Sequence, residues 1–188
     1  MLLNATELQY AMAMVCNNIE KKRDYKPALL GVHMVYDGNV LLIEGTNSYQ
    51  MARIELTPID NMGDADFNVI IEPLDLKSFV KKETNIILDM NTRMVRRLDG
   101  SEMRINLIEE VYPELERVIP KIEDSNFTIG FNVARLRNIL KGMNTDSTVI
   151  MNFNTERPFA PVIMTDSEGK SLCSGQTLLL CPVRTDYI

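Results

Sequence analysis

The chain has 188 residues, of which 45% are apolar, and this suffices for one large domain or two small ones with a hydrophobic core. Its net charge of −6 does not by itself favour nucleic acid, and its three cysteines lack metal-ligand spacing and are expected to be reduced. No apolar run is long enough to cross a bilayer and no signal peptide is recognisable, so we expect a soluble cytoplasmic protein without a membrane partner.

The first predicted helix follows a short strand at residues 1–3. Asn4 is a favourable N-cap, and Glu7 three residues later completes a pattern like a capping box. We expect the helix to end near Lys21–Arg23, because cations suit a helix C-terminus and Pro27 would not fit inside it. One face of the helix is apolar at helical spacing and consists of Leu8, Ala11, Met12, Val15 and Ile19.

Residues 26–56 are predicted to form an extended hairpin. Asp37-Gly38 lies between two apolar runs, and such a turn needs a positive φ that glycine adopts readily. Val32, Met34 and Tyr36 fall on one face of the first strand. After the second strand a polar break at residues 45–48 precedes a third extended run, residues 49–56.

Two further passes of similar pattern follow. In the second, strands are predicted at residues 67–71, 85–90, 93–98 and 103–109, with a short helix after Pro73 that turns Leu76, Phe79 and Val80 inward. In the third, strands are predicted at residues 127–131, 148–153, 161–165 and 178–183, and Asn132 is expected to cap a helix. The inward side chains expected on that helix are Val133, Leu136, Ile139 or Leu140, and Met143.

The order strand, helix, strand, strand, strand therefore occurs three times. Met12, Leu76 and Leu136, one on each predicted helix, are spaced about 60 residues apart. The copies share their pattern rather than their residues, so the repeat predicts an α+β chain of three similar units.

Two motifs carry a resemblance to a known family. Residues 26–31, Lys-Pro-Ala-Leu-Leu-Gly, match a lead-in Arg-Pro-x-Leu-x-Gly, and residues 46–52 match Thr-Asp-x-His-Arg-Leu-Ala in order and spacing. The acidic, histidine and arginine positions of the second motif are held here by Asn47, Tyr49 and Gln50. With these motifs the chain resembles the bacterial sliding clamp, the beta subunit of the DNA polymerase III holoenzyme.

The resemblance implies a DNA-clamp fold of repeated βαβββ half-units, with antiparallel sheets outside and helices lining a central hole. Residues 1–121 resemble a complete clamp domain made of half-units 1–60 and 66–121. Residues 122–188 resemble the second half of the last clamp domain, so the chain is similar to a clamp shortened by its first domain and by half of its last. We expect self-association. Four copies of a chain with three half-units would supply the twelve half-units of a family ring, so a tetrameric ring is the hypothesis for the assembly.

The resemblance implies that basic helices face double-stranded DNA without sequence specificity. The predicted helical windows, residues 5–26, 74–83 and 132–143, hold ten basic and five acidic residues, a net charge of +5, so the rest of the chain carries −11. The alternative explanation is that these helices carry lysine and arginine only because surface helices need charge for solubility. The candidate DNA-binding residues are Lys21, Lys22, Arg23, Lys77, Lys81, Lys82, Arg135, Arg137 and Lys141.

The resemblance also implies an apolar pocket for short peptides of DNA polymerases and other clamp partners. The alternative is that residues 178–183 form an ordinary core strand. The candidate peptide-binding residues are Leu29, Thr46, Ser48, Tyr49, Gln50, Met51, Val118, Pro120, Leu179, Leu180, Cys181, Pro182, Val183 and Arg184.

No catalytic site is predicted. The single histidine, His33, lies in the middle of a predicted strand, no nucleotide-binding glycine motif occurs, and no metal-ligand set is recognisable. We therefore expect a non-catalytic accessory subunit of a DNA polymerase without a cofactor. The alternative is a shortened relative of the clamp that acts as a protein-interaction module and does not encircle DNA.

Overall fold

The computed structural model describes residues 1–22, 26–80, 83–120, 126–141, 143, 148–157, 159–166 and 178–183. The chain divides into two compact units, Met1–Arg117 and Val118–Ile188, and each is described by itself. The finer division into the half-units 1–60, 66–121 and 122–188 stays a prediction.

The described residues of the first unit form two helices and nine strands. In chain order these are β1 (Leu2–Asn4), α1 (Ala5–Cys16), β2 (Val32–Tyr36), β3 (Leu41–Thr46), β4 (Met51–Leu56), β5 (Phe67–Ile71), α2 (Leu76–Phe79), β6 (Asn85–Asp89), β7 (Met94–Arg97), β8 (Glu102–Arg104) and β9 (Leu107–Ile108). Single 3-10 turns occur at Pro27–Leu30 and Leu115–Val118. The βαβββ order thus occurs twice, as predicted.

Two antiparallel sheets form the first unit, with strand orders β1-β6-β7-β8 and β4-β3-β2-β5-β9. The first strand of each repeat pairs with the strands of the other repeat: β1 lies beside β6, and β5 lies beside β2. This exchange of first strands joins the two repeats by backbone hydrogen bonds. Each sheet therefore contains strands from both repeats.

The predicted hairpin is confirmed. Tyr36 of β2 lies opposite Leu41 of β3, and the intervening turn places Gly38 at φ 88°. The Asp37 carboxylate accepts hydrogen bonds from the Asn39 and Val40 amides at 2.9 and 2.8 Å. The side chain of Asp37 therefore fixes a turn whose positive φ glycine tolerates.

The core of the first unit lies between α1, α2 and one face of each sheet. The predicted face of α1 is confirmed, since Leu8, Met12 and Val15 are buried against the inner side chains of β2 and β3. Gly45 of β3 allows the close approach of the helix, because a Cβ there would lie 2.6–2.7 Å from Ile19 and Val15. A larger residue at position 45 would push the helix away from the sheet.

The first helix is shorter than predicted. It ends at Cys16 rather than near residues 21–23, because the Asn18 side-chain amide donates to the Met14 carbonyl at 2.8 Å and takes up a terminal acceptor. Ile19 is buried as predicted, but it lies in the segment that follows the helix rather than in the helix itself. Lys21 and Lys22 consequently lie beyond the helix, and Arg23 lies outside the described residues.

Three other boundaries of the prediction were wrong. The predicted strand at residues 103–109 is split into β8 and β9, which belong to different sheets, with buried Ile105 between them. Leu30 lies in a 3-10 turn that begins at Pro27, whose fixed φ suits a first helical position. The last strand stops at Leu180 rather than residue 183, before Pro182, which has no N–H to donate.

The second unit contains α3 (Val133–Lys141), β10 (Val149–Asn152), β11 (Val162–Asp166) and β12 (Leu178–Leu180). The strands form one antiparallel sheet in the order β10-β11-β12. Val162, Met164 and Leu180 are buried under Leu136 and Ile139 of the helix. Two predictions were wrong here: residues 127–131 form only a single bridge, from Gly130 to Val183, and Val133 is 79% exposed rather than inward.

Candidate nucleic-acid and peptide-binding surfaces

The first helix does not carry the predicted cations. Within its structural bounds α1 contains no lysine or arginine, and its one charged residue is Glu7. Its solvent face presents Thr6, Tyr10, Ala13 and Met14, all exposed. The basic character of the predicted window came from residues 21–26, which follow the helix.

Of the other predicted cations near the first two helices, those that the structure describes lie after α1 or in the first turn of α2. Lys21 and Lys22 are exposed, and their backbone amides donate to the Glu20 carboxylate at 2.8 and 2.9 Å. Lys77 is exposed in α2, where its amide is capped by Asp75 at 3.1 Å. Lys81 and Lys82 lie outside the described residues.

The third helix is different, because its charges are all positive. Arg135, Arg137 and Lys141 are exposed, α3 contains no acidic residue, and no ion pair of these three occurs within the described residues. Arg137 and Lys141 are four residues apart and share a side of the helix. The Asn132 side chain accepts from the Arg135 amide at 3.1 Å and starts the helix, as predicted. These three cations are therefore available to an anionic partner.

The first unit brings most of its predicted peptide-binding residues together at the turn between β3 and β4. The Thr46 hydroxyl donates to the Gln50 carbonyl at 2.7 Å and accepts from the Ser48 amide at 3.1 Å. Ser48 has a φ of 75°, a conformation in which residues with a side chain are strained, and Tyr49 at the tip is 93% exposed. Leu29 is buried and Met51 is half-buried, so only part of this set offers a surface.

The predicted peptide-binding residues of the second unit divide by strand alternation. Leu179 is 56% exposed, whereas Leu180 is buried in the core, which is the ordinary structural alternative for this strand. Cys181 and Val183 follow the strand and are exposed, and Pro182 is partly so. Val118 and Pro120 are exposed, and Arg184 lies outside the described residues.

A buried ionic cluster in the first unit was not predicted. Glu44 of β3 is only 3% exposed; the His33 ring donates from Nδ1 to one of its oxygens at 2.8 Å, and Arg53 Nε donates to the other at 2.9 Å. Arg53 also pairs with exposed Glu116. Burial acts to raise the pKa of Glu44, but the hydrogen bonds and charges of His33 and Arg53 outweigh it and leave this pKa below its ordinary value.

The segment after β9 covers this cluster. The Tyr112 ring stacks on His33 with centroids 4.3 Å apart and planes at 16°, and the other ring nitrogen of His33 lies 2.7 Å from Asn68 Oδ1. Burial raises the pKa of Tyr112 above its ordinary value. Glu44 and Arg53 lie directly opposite each other on β3 and β4. This pairing could have been found from the sequence only if the register of the two strands had been predicted.

Among the described residues, no group of three or more histidine, cysteine, aspartate or glutamate side chains lies close enough to hold a metal ion. None of the described helices is both long and apolar enough to span a membrane.

Comparison with known proteins gives a consistent set of relatives, although no protein-family model matches the chain. The beta sliding clamps of two strains of Streptococcus pneumoniae are 30% identical over 136 residues, which cover 69% of this chain and 35% of the relative. The chain thus spans about a third of the length of these curated relatives.

Solved structures show the same fold. The beta chain of DNA polymerase III from Streptococcus pneumoniae superposes with a TM-score of 0.74 at 19% identity, covering 98% of this chain and 49% of that one. The beta subunit from Streptococcus pyogenes gives 0.74 at 17% identity, with 98% and 50% covered. The sliding clamp from Bacillus subtilis gives 0.70 at 16% identity, with 97% and 48% covered.

Proposed function

Because this chain is a relative of the bacterial beta sliding clamp in sequence and has its fold, we propose that it is a clamp-like replication factor that holds a DNA polymerase on duplex DNA. It acts as a non-catalytic accessory subunit. The observation that carries the proposal is the matched sequence, 136 residues at 30% identity, within a clamp fold of repeated βαβββ units.

The DNA contact of this proposal rests mainly on α3. Arg135, Arg137 and Lys141 are exposed and have no acidic neighbour on their helix, so they can approach phosphates without first breaking an ion pair. Lysine and arginine that contact only phosphates attract any duplex and carry no base readout. The binding should therefore be independent of sequence and sensitive to salt.

Peptide docking is the second part of the proposal. Exposed Tyr49 and half-buried Met51 at the β3–β4 turn, and exposed Leu179 and Val183 in the second unit, offer apolar and adaptable side chains. Such side chains suit the hydrophobic anchors of a short linear peptide. We propose each of the two sets as a peptide contact within its own unit.

Assembly is the third part. Within the described residues, β4 and β8 are among the strands that end the two sheets of the first unit, and β10 and β12 end the sheet of the second. Free edges pair readily with other strands, so self-association is expected. Twelve half-units from four chains would match a family ring.

One observation favours a second candidate function. The first helix of the first unit has no lysine or arginine, and Tyr10 and Met14 on its solvent face are exposed. A helix that lines a DNA channel would not need such side chains, whereas a protein partner could cover them. The alternative is therefore an interaction module that binds clamp partners without encircling DNA.

Retention on circular DNA separates the two functions. The purified chain is mixed with nicked circular plasmid or with the same plasmid cut once, and both samples are passed through a sizing column at moderate salt. A ring should stay on the circle and slip off the cut molecule, and native mass spectrometry should give a closed assembly, with four copies as the expected number.

The outcome that rejects encirclement is equally defined. A monomer in native mass spectrometry together with equal loss from circular and linear DNA would eliminate the ring. Pull-down of a polymerase peptide by that monomer would then support the interaction module, and failure of both assays would overturn both functions.

A further inference from the structure

A groove whose lining includes none of the predicted site residues runs along β5 in the first unit. It consists of two adjoining cavities of about 460 and 490 Å³, which share the lining residues Asn68, Val69, Ile70, Glu110 and Val111. We refer to these five residues and the space they line as the β5 groove. Val111 is 90% exposed, so part of the lining is an apolar side chain in solvent.

One wall of the groove is an open strand edge. β9 pairs with β5 only at Ile70 and Ile71, so residues 67–69 have no strand on that side within the described residues. The Glu72 amide donates to the Asn106 carbonyl at 2.9 Å and thus points toward the β9 side. Because alternate residues of a strand point the same way, the backbone N–H and C=O of Asn68 face the open side.

These backbone groups can receive another strand. No backbone hydrogen bond to Asn68 on its open side occurs within the part of the chain that is described. An extended segment placed beside residues 67–69 would pair with the Asn68 amide and carbonyl and continue the sheet where β9 stops. Addition of a strand to an open edge is a common mode of peptide recognition.

The charges around the groove select the kind of segment. Five glutamates and one arginine line the two cavities: Glu44, Glu109, Glu110, Glu114, Glu116 and Arg53. The arginine is already paired with Glu44 and Glu116, and Glu114 is paired with Arg117 at 2.6 Å. Glu109 and Glu110 are exposed and have no ion pair within the described residues. Their charges are therefore available to a cationic partner and repel an anionic one.

From the open edge and the free carboxylates we propose that the β5 groove binds an extended basic segment of a partner protein. The segment adds as a strand beside residues 67–69, and its lysine or arginine side chains on one face meet Glu109 and Glu110. None of the candidate peptide-binding residues lines the two cavities, and the site does not depend on the clamp function proposed above.

The first test uses a defined probe and a charge-matched control. A fluorescein-labelled peptide of alternating lysine and valine is titrated with the chain at low salt, beside a peptide of alternating glutamate and valine. Glu109→Lys with Glu110→Lys should weaken binding of the lysine peptide about tenfold, since two favourable contacts become repulsive. Glu55→Lys with Glu156→Lys makes the same charge change at exposed positions that line neither cavity, and it should change affinity less than about twofold.

The second test addresses the strand edge. Asn68→Pro removes the backbone N–H that faces the open side, and Asn68→Ala keeps this N–H. Both variants lose the asparagine side chain. Asn68→Pro should therefore abolish binding, and Asn68→Ala should not. Amide chemical shifts of residues 67–70 should move when the lysine peptide is added to the unmodified chain.

Three results would overturn the proposal. Equal weakening by both pairs of lysine substitutions would mean attraction by overall charge, and equal binding by Asn68→Pro and Asn68→Ala would mean that no strand is added. Self-association in sedimentation that Asn68→Pro abolishes and Asn68→Ala retains would assign the edge to a second copy of the chain.

Discussion

The helices α1 and α3 each pack on a sheet of their own unit but differ in what they bury and what they expose. α1 buries Leu8, Met12 and Val15 among others and carries a single carboxylate. α3 has no fully buried residue and carries three cations with no acidic residue. A helix that packs on a sheet can therefore serve mainly the core in one unit and mainly the charged surface in the other.

The cores of the two units differ in the same direction. In the first unit one buried cluster joins α1 and α2 with both sheets, whereas the buried cluster described in the second unit consists of Val162, Met164 and Leu180. The opposite face of the second sheet leaves Ile163 and Leu179 partly exposed. Because a small core contributes little net stability, we expect the second unit to have a lower free energy of unfolding than the first.

Truncation of a core residue should have the largest effect. Leu8→Ala in α1 should lower the free energy of unfolding by about 3 kcal/mol, through lost burial and the cavity left behind. Leu136→Ala in α3, where the side chain is only half-buried, should cost about 1 kcal/mol. Urea denaturation followed by circular dichroism measures both, and Tyr10→Ala on the exposed face of α1 serves as the control. Equal losses for the two leucines would contradict the difference between the cores.

Removal of the α3 cations should come next. Arg135→Gln, Arg137→Gln and Lys141→Gln together should weaken duplex binding about 100-fold, or about 2.7 kcal/mol, and reduce the slope of log affinity against log salt by about 3. Lys21→Gln with Lys22→Gln, outside any helix, should change the slope less. Fluorescence anisotropy over a salt series measures both. An unchanged slope in the α3 variant would remove the DNA-facing role from that helix.

Loss of the buried carboxylate in the first unit should have an intermediate effect. Glu44→Gln should cost about 2 kcal/mol at pH 7, because His33 and Arg53 lose a charged, buried partner. The comparison variant is Glu55→Gln, an exposed position on the neighbouring strand, where we expect almost no change.

The Glu44 contribution should also depend on pH. Since the folded pKa of Glu44 is lowered, its stabilisation is present above the ordinary pKa of 4.5 and is lost as the pH falls through the lower folded value. Urea midpoints measured from pH 7 to pH 3 should therefore converge for the unmodified chain and Glu44→Gln. A constant gap down to pH 3 would show that the carboxylate is not the group responsible.

Removal of a helix cap should have the smallest effect. The Asn4 side chain accepts from the Thr6 and Glu7 amides at 2.9 and 3.1 Å, and Asn4→Ala should cost about 1 kcal/mol. Asn132→Ala at α3 should cost a similar amount in its own unit, because the cap is local and independent of the core. Thermal unfolding measures both, with Asn4→Asp expected to restore most of the loss. A much larger loss at Asn4 than at Asn132 would mean that the caps depend on tertiary packing.

Local patterns were predictable from the sequence. The Asp37-Gly38 hairpin, the apolar face of α1 and the order of the first two repeats were confirmed, because each depends on residues close together in the chain. The fold was recognised from two short motifs and then confirmed by relatives with the same architecture. The DNA-binding and peptide-binding residues stay predictions.

Features that depend on distant residues were not predictable in the same way. One error was local rather than distant: the basic residues after Cys16 suggested a longer first helix, whereas Asn18 caps its end through the Met14 carbonyl. The cluster of His33, Glu44 and Arg53 needed the register of three strands, and its cover needed Tyr112 from a segment almost eighty residues away in sequence.

The amino-acid pattern alone was enough to predict the first two repeats, the Asp37-Gly38 turn and the apolar face of α1, since periodicity and turn chemistry act over a few residues. The three-dimensional structure was needed to show that the first strands are exchanged between the two sheets, that α1 ends before its predicted cations, and that β5 keeps an open edge. The physical reason is that pairing and burial are set by which segments meet in space, and a linear pattern does not specify that meeting.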